Sequence, residues 1–179
     1  MQMLKALAFL LPISLFSQTQ PLQNFFKAEA GFQGINAGYE LAIARKLLLD
    51  FGAGVGGAVN IYNANGSMGA QYVIAENELF YFSPNIHAQM RYYPNRAKRE
   101  ARGHSLVNNT GSFLGLQSKV SFHDYYGNSW VTDVHFGQQL PLGSRLFFRY
   151  RAGAGIGLNI DTGELSPYPA IGATLVFQF

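Results

Sequence analysis

Apolar and polar residues alternate through most of this chain. In Leu79–Tyr93, Phe80, Phe82, Ile86, Ala88, Met90 and Tyr92 share one face, and Ser83, Asn85, His87, Gln89 and Arg91 share the other. A period of two is the signature of a strand with two unlike faces. Pro84 falls near the start of that strand, where a missing donor is tolerated. The same pattern recurs in Leu47–Ile61, Ser112–His123, Trp130–Leu140 and Arg145–Leu158. In Arg145–Leu158, for example, Leu146, Phe148, Tyr150, Ala152 and Ile156 oppose Arg149, Arg151, Gly153, Gly155 and Gly157. The final segment, Pro169–Phe179, sets Ile171, Ala173, Leu175, Phe177 and Phe179 against Gly172, Thr174 and Gln178, with Val176 the exception.

Two further segments lie near the start, and their parity differs. Phe26, Ala28, Ala30 and Phe32 are even-numbered, whereas Ile35, Ala37, Tyr39, Leu41 and Ile43 are odd-numbered. One straight strand cannot change parity, so a bulge or a tight turn must lie near Gln33-Gly34. A bulge gives seven strands. A turn gives eight, with both chain ends on one side, and the even count that single-chain bacterial barrels require favours it. The links then sort by length. Arg45-Lys46 and Pro141–Ser144 are short and fall on the side of the termini, with Pro94–Gly111 as a long exception. Tyr62–Glu78, Asp124–Ser129 and Asn159–Pro167 are longer and fall on the other side. The expected fold is all-β, a closed antiparallel up-and-down transmembrane barrel of eight strands.

Composition sharpens this picture. Charged residues make up only 13% of the chain, against roughly 25% in an ordinary soluble domain. Glycines on the polar face suit a narrow interior. The start of the chain, with Lys5 ahead of the apolar run Ala6–Phe16 and a small residue at Ser17, reads as a secretory signal peptide over 1–17. Residues 18–179 would then be the barrel domain. The apolar run is too short for a membrane-spanning helix, which takes roughly 20 residues. With no cysteine there is no disulfide framework, so an exported domain needs another source of stability. A closed sheet in lipid provides one, because all its backbone groups are paired. The formal charge of +3 includes Lys5 and is too small to argue for nucleic acid.

The period-2 segment ending in Phe179 is similar to the last strand of Gram-negative outer-membrane barrels, and the whole pattern resembles the small OmpA/OmpX-type eight-stranded barrels. A more local likeness lies in Arg91-Tyr92-Tyr93, the basic link to Gly103, and Asn108-Asn109-Thr110-Gly111-Ser112-Phe113-Leu114. These are similar to a functionally uncharacterised group of outer-membrane barrels that share an R-Y-Y, basic link, N-(S/T)-(G/A)-N-(Y/F)-(L/I) pattern. Ser112 stands where many of that group carry Asn. The resemblance implies location in the outer membrane, contact with its lipids, and recognition by the barrel-assembly machinery through Phe177 and Phe179. It carries over no catalytic residue.

Candidate chemistry sits mainly on the polar face. Lys27, Glu29, Glu40, Asp50, Arg91, Lys119, Asp133, Arg149 and Arg151 are expected to point inward, where isolated ions are costly and must pair across the ring. They form either an ion or proton pathway or a salt-bridge network that plugs the barrel. His87, His123 and His135 also fall on the inward face, but His123 belongs to the opposite rim, so a three-histidine metal centre is not expected and no cofactor is implied. His123-Asp124 with nearby serines could mimic part of a hydrolase, although no G-x-S-x-G is present. Arg96, Lys98, Arg99 and Arg102, opposed only by Glu100, form a basic link suited to an acidic partner or to lipid phosphates. Aromatic residues crowd the strand ends, among them Tyr81, Phe82, Tyr92, Tyr93, Tyr125, Tyr126, Trp130 and Tyr168, as in the interfacial girdles of membrane barrels. Tyr125, Tyr126 and Trp130 could also stack on carbohydrate.

Three functional classes follow. The first is a non-enzymatic outer-membrane barrel with a polar, side-chain-filled lumen, in which loops, above all Tyr62–Glu78, contact an extracellular or periplasmic protein. The second is an outer-membrane lipid-modifying enzyme that uses His123. The third is an exported soluble barrel that binds an apolar ligand, which requires the apolar face to point inward.

Overall fold

A computed structural model of the protein describes residues 20–179 except 32, 65–66, 74, 77–78, 81–82 and 124–126; over 58–82 the backbone alone is described. The expected signal segment, Asp124 and the aromatic residues Tyr81, Phe82, Tyr125 and Tyr126 thus lie outside the described residues.

Eight strands close into one antiparallel barrel. They are β1 (Phe25–Gly31), β2 (Gly34–Ala44), β3 (Leu47–Gly56), β8 (Ser83–Tyr92), β9 (Gly111–Ser121), β10 (Ser129–Pro141), β11 (Leu146–Asn159) and β12 (Leu165–Gln178). Each pairs with the next around the ring, and β12 pairs with β1. The parity change is a hairpin: β1 and β2 pair antiparallel from Phe25↔Glu40 to Gly31↔Gly34. Gly34 has φ of 122°, and a Cβ there would lie 2.3 Å from the carbonyl oxygen of Val55, so only glycine fits this corner. A register shift between Ala42 and Ala44 marks a bulge next to the β2–β3 turn.

The excursion between β3 and β8 differs from the sequence reading. Leu47–Ile61 is not one strand. The barrel strand stops at Gly56, and β4 (Ala58–Ala64) pairs with β5 (Ser67–Val73) as a separate hairpin, followed by the two-residue strands β6 (Ala75–Glu76) and β7 (Leu79–Phe80). Tyr62–Glu78 is therefore largely paired backbone rather than irregular loop, and the barrel part of the 79–93 segment begins only at Ser83. Alternation continues from β3 into β4, so period alone could not reveal that the chain leaves the ring. The β4–β5 hairpin contacts β12, β11 and β10. Those strands stand across the ring from β3, so the hairpin spans the loop end.

At the other end lie the segment 20–24 that leads into β1, the C-terminal Phe179, the short turns, and the long link from 93 to 110. That link carries a short helix, α1 (Arg96–Ala101), and a 3-10 turn at Val107–Asn109. Of the described residues, no helix is long and apolar enough to cross a membrane, which says nothing of strands.

Candidate functional site

The two faces of the ring differ sharply. Phe26, Ile35, Val134, Phe136, Ile156 and Ile171 project outward and are more than half exposed. Opposite them, Lys27, Glu40, Asp50, Arg91 and Asp133 project inward and are buried. Each strand alternates in this way because its pleat sends successive side chains to opposite sides.

Three cations and three carboxylates meet inside the ring. Lys27 Nζ lies 2.6 Å from Asp50 Oδ2 and 3.7 Å from Glu40 Oε1, and it also contacts Glu29. Arg91 donates to Asp50 Oδ2 at 2.9 Å and to Glu40. Arg149 donates to Glu29 Oε1 at 2.8 Å and to Glu40 Oε1 at 2.6 Å. Neutral donors and acceptors complete the set. Gln139 Oε1 accepts from Arg149 Nε at 2.9 Å and from Arg91 Nη1 at 3.2 Å, and the Tyr93 hydroxyl accepts from Arg91 at 3.1 Å. Buried charges persist only when matched in number and in hydrogen bonds, and this group is matched in number.

A second chain of bonds runs beside it. Tyr168 donates to Asp133 Oδ2 at 2.5 Å, Asp133 Oδ1 contacts His135 Nδ1 at 2.5 Å, and His135 Nε2 meets Gln89 Nε2 at 2.6 Å. An Asp–His pair supplies two of the three members of an acyl-transfer triad, but there the outer ring nitrogen faces a hydroxyl. Here it faces an amide, inside the ring. His87 stands apart, with Nε2 3.9 Å from Asp50 Oδ1. Among the described residues no group of three or more His, Cys, Asp or Glu could hold a metal ion. His123 is half-buried beyond the end of β9, away from the other two histidines.

Two of the expected inward charges do not pair. Among the described residues, Lys119 has no carboxylate within ion-pair distance. Arg151 donates to Gln33 Oε1 at 3.0 Å and to Gln117, both uncharged. Among the described residues four carboxylates face inward against five cations, and Asp133 is already held by His135 and Tyr168.

Nearer the termini the inner face turns apolar. Phe25, Phe147 and Val176 form one buried cluster, with the Phe25 and Phe147 rings edge to face at 6.0 Å. Val176, the exception in the alternation of β12, thus belongs to an internal floor. Leu22, Leu48, Tyr93 and Phe113 form a second cluster. The guanidinium carbons of Arg149 and Arg91 sit over Phe147 and Phe113 at 5.7 and 5.4 Å, joining the ion network to this floor through cation–π contacts.

The 93–110 link closes the terminal end. Asn108 and Asn109 both have φ of 54°, a left-handed conformation in which Asn is tolerated. That turn aims Asn109 inward, where Nδ2 donates to Glu40 Oε2 at 3.0 Å and to the Gln23 carbonyl at 2.9 Å. The Asn108 carbonyl accepts from Gln139. Arg96 was expected as an exposed basic contact, and the structure corrects this. It is buried, and it donates to the carbonyl oxygens of Gln20 at 3.0 Å and Pro21 at 2.8 Å, which ties down the segment before β1. Burial pulls its pKa below the ordinary guanidinium value, with Tyr93 and Glu100 opposing that shift; a group starting so far above neutrality stays charged. Lys98, Arg99 and Arg102 line a shallow outer depression with His104 and Ser112.

Gln89, Gln117 and Gln139 join the charges of the inner face, and their parity was visible in the sequence. Asn108 and Asn109 lie in a link with no period, so their reach into the barrel left no sequence signal beyond the local likeness noted above. At the far end of the chain, Phe177 and Phe179 face outward with their rings 5.3 Å apart. The chain matches no protein-family model, no curated protein and no solved structure.

Proposed function

We propose that this protein is an integral outer-membrane barrel with a structural or loop-mediated interaction role and no catalysis, its interior occupied by paired side chains instead of an open channel. One observation carries this reading: the faces are inverted relative to a water-soluble domain. Val134 and Ile156 are each 61% exposed on the outside, whereas Arg91 and Glu40 are 0% exposed inside. An apolar surface running around the whole ring exceeds what soluble monomers expose, and lipid is the solvent that fits it. Trp130 at the start of β10, Tyr92 at the end of β8 and Phe179 suit the interfacial girdles.

On this reading Phe177 and Phe179 present the last strand to the assembly machinery, lipids cover the outward face, and the loop-end hairpin is the surface for a protein partner. Arg149, Arg91 and their carboxylates block the lumen. The inward Asp133–His135 pair is shielded from lipid, which speaks against a lipid-modifying enzyme. The inward charges speak against a carrier of apolar ligands.

The test is reconstitution of residues 18–179 with phospholipid vesicles. The expected result is a folded β-rich protein that floats with the vesicles and gives no large single-channel conductance in planar bilayers. A protein that stays monomeric and folded in buffer without detergent would overturn the membrane assignment. Large open conductance would overturn the blocked lumen.

A further inference from the structure

The ion network fills only part of the interior. On its loop side lies a chamber of about 50 Å³, lined by Asn36, Asn85, His87, Gln117, Lys119 and Arg151 together with the upper edges of Glu29, Asp50 and Arg149. A cavity of one water needs roughly 10–15 Å³ by the same measure, so the space suits about four water-sized atoms. Its lining is unbalanced. Among the described residues Lys119 and Arg151 have no carboxylate partner, whereas Glu29 and Asp50 are bound from beneath by Lys27 and Arg149. Asn85 is 2% exposed, yet neither its amide nitrogen nor its amide oxygen has a hydrogen-bond partner among the described residues. Two acceptors at the same chamber, Asn36 Oδ1 and Asp50 Oδ1, are also buried and accept no hydrogen bond among the described residues. His87 connects the two sets, being the register partner of Lys119 and lying 3.9 Å from that same Asp50 oxygen.

From this we infer that the chamber is a binding site for one small oxyanion that still carries a proton, which is the chemistry of phosphate. Lys119, Arg151 and the Asn85 amide supply donors and positive charge for its ionised oxygens. A hydroxyl of the same group donates to Asp50 Oδ1 or Asn36 Oδ1, which a fully ionised anion cannot do. Left unpaired in a buried site, those acceptors discriminate against sulfate, because a buried acceptor facing an ionised oxygen is both unsatisfied and repelled. The proposal needs the closed ring and its inward residues, not the membrane.

The test uses the full barrel refolded in detergent micelles, with folding checked by circular dichroism and inorganic phosphate added as the probe in calorimetric titration. Saturable binding of one phosphate per chain is expected, with sulfate at least tenfold weaker. Lys119→Met and Arg151→Met should each weaken phosphate at least tenfold. Neither substitution breaks an ion pair with a described carboxylate, so both variants are expected to fold, and their own circular dichroism checks this. Lys98→Ala with Arg102→Ala, on the outer depression, should leave binding unchanged. Absence of binding would overturn the proposal, as would binding lost in the Lys98/Arg102 variant but kept in Lys119→Met. Sulfate binding as tightly as phosphate would overturn the choice of a protonated anion. A chain that fails to fold in detergent would count against the membrane reading, and folding from buffer would then carry the same titration.

Discussion

The imidazole of His135 lies against the backbone of Gly115, its register partner on the neighbouring strand, so closely that a Cβ at Gly115 would sit 2.2 Å from Nε2. The arrangement repeats around the ring. His87 covers Gly52, Phe113 covers Gly137, Arg151 covers Gly172 and Tyr168 reaches over Gly155, in each case across one register pair. Bulky side chains are laid flat along the wall over a neighbouring glycine, which lets a narrow ring hold large groups. Gly115→Ala is expected to push His135 off Asp133 and Gln89 at about 1–3 kcal/mol, the usual range for overpacking. Urea unfolding in lipid vesicles measures it, and an unchanged midpoint would mean the ring side chain has room to move.

Glu40 is the carboxylate on which Arg91, Arg149, Lys27 and Asn109 converge. Glu40→Gln leaves three cations facing two carboxylates. The loss of one partner from a buried ionic group is expected to destabilise the barrel by about 3–5 kcal/mol. The same unfolding experiment reads this, and a loss under 1 kcal/mol would show that water reaches the network.

Val134 lies near the middle of β10 on the outward face. If hydrocarbon surrounds it, Val134→Arg costs about 2–4 kcal/mol in a vesicle-inserted barrel. On a water-covered surface the same change stays within about 0.5 kcal/mol. This single substitution separates lipid from water as the solvent of that face.

Asn109 combines an internal hydrogen bond with a left-handed backbone. Asn109→Gly loses the bonds alone, while Asn109→Ala also meets the steric penalty of that conformation, about 1–2 kcal/mol. The alanine variant should therefore be the less stable by that margin, and its link should be cut faster by trypsin at Lys98, Arg99 or Arg102. Equal stability of the two would place the turn outside the cooperative unit.

How far the sequence disclosed this architecture can be read residue by residue. Arg91, Gln89 and Asn85 share a face with His87 because the pleat alone fixes direction, so every inward polar residue named on β8 was legible. The hairpin at Gln33-Gly34 was legible from the parity change. What parity cannot report is height around a closed ring. It gave no means to tell that Glu40 meets Arg149 from three strands away around the ring, or that Lys119 meets no acid among the described residues. Arg96 misled for a related reason: a cationic run in a link reads as solvated, and only the segment at Gln20 and Pro21 that covers it reveals an internal anchor. The end of β3 at Gly56 was hidden because the alternation continued unbroken into a second sheet.

The ring is sealed where its last strand meets its first, by Lys27↔Gln178 through Gly31↔Thr174 and by the Phe179 amide donating to Phe26 at 2.9 Å. This seam joins residues separated by nearly the whole chain, and it is the shortest pairing in the ring. Loop-closure entropy therefore falls most heavily on this joint. Until this seam closes, β1 and β12 both present raw hydrogen-bonding edges to any strand nearby. An interrupted or trimmed tail would accordingly do more than shorten a strand: it would turn a self-contained cylinder into a sticky ribbon, prone to joining its neighbours rather than itself.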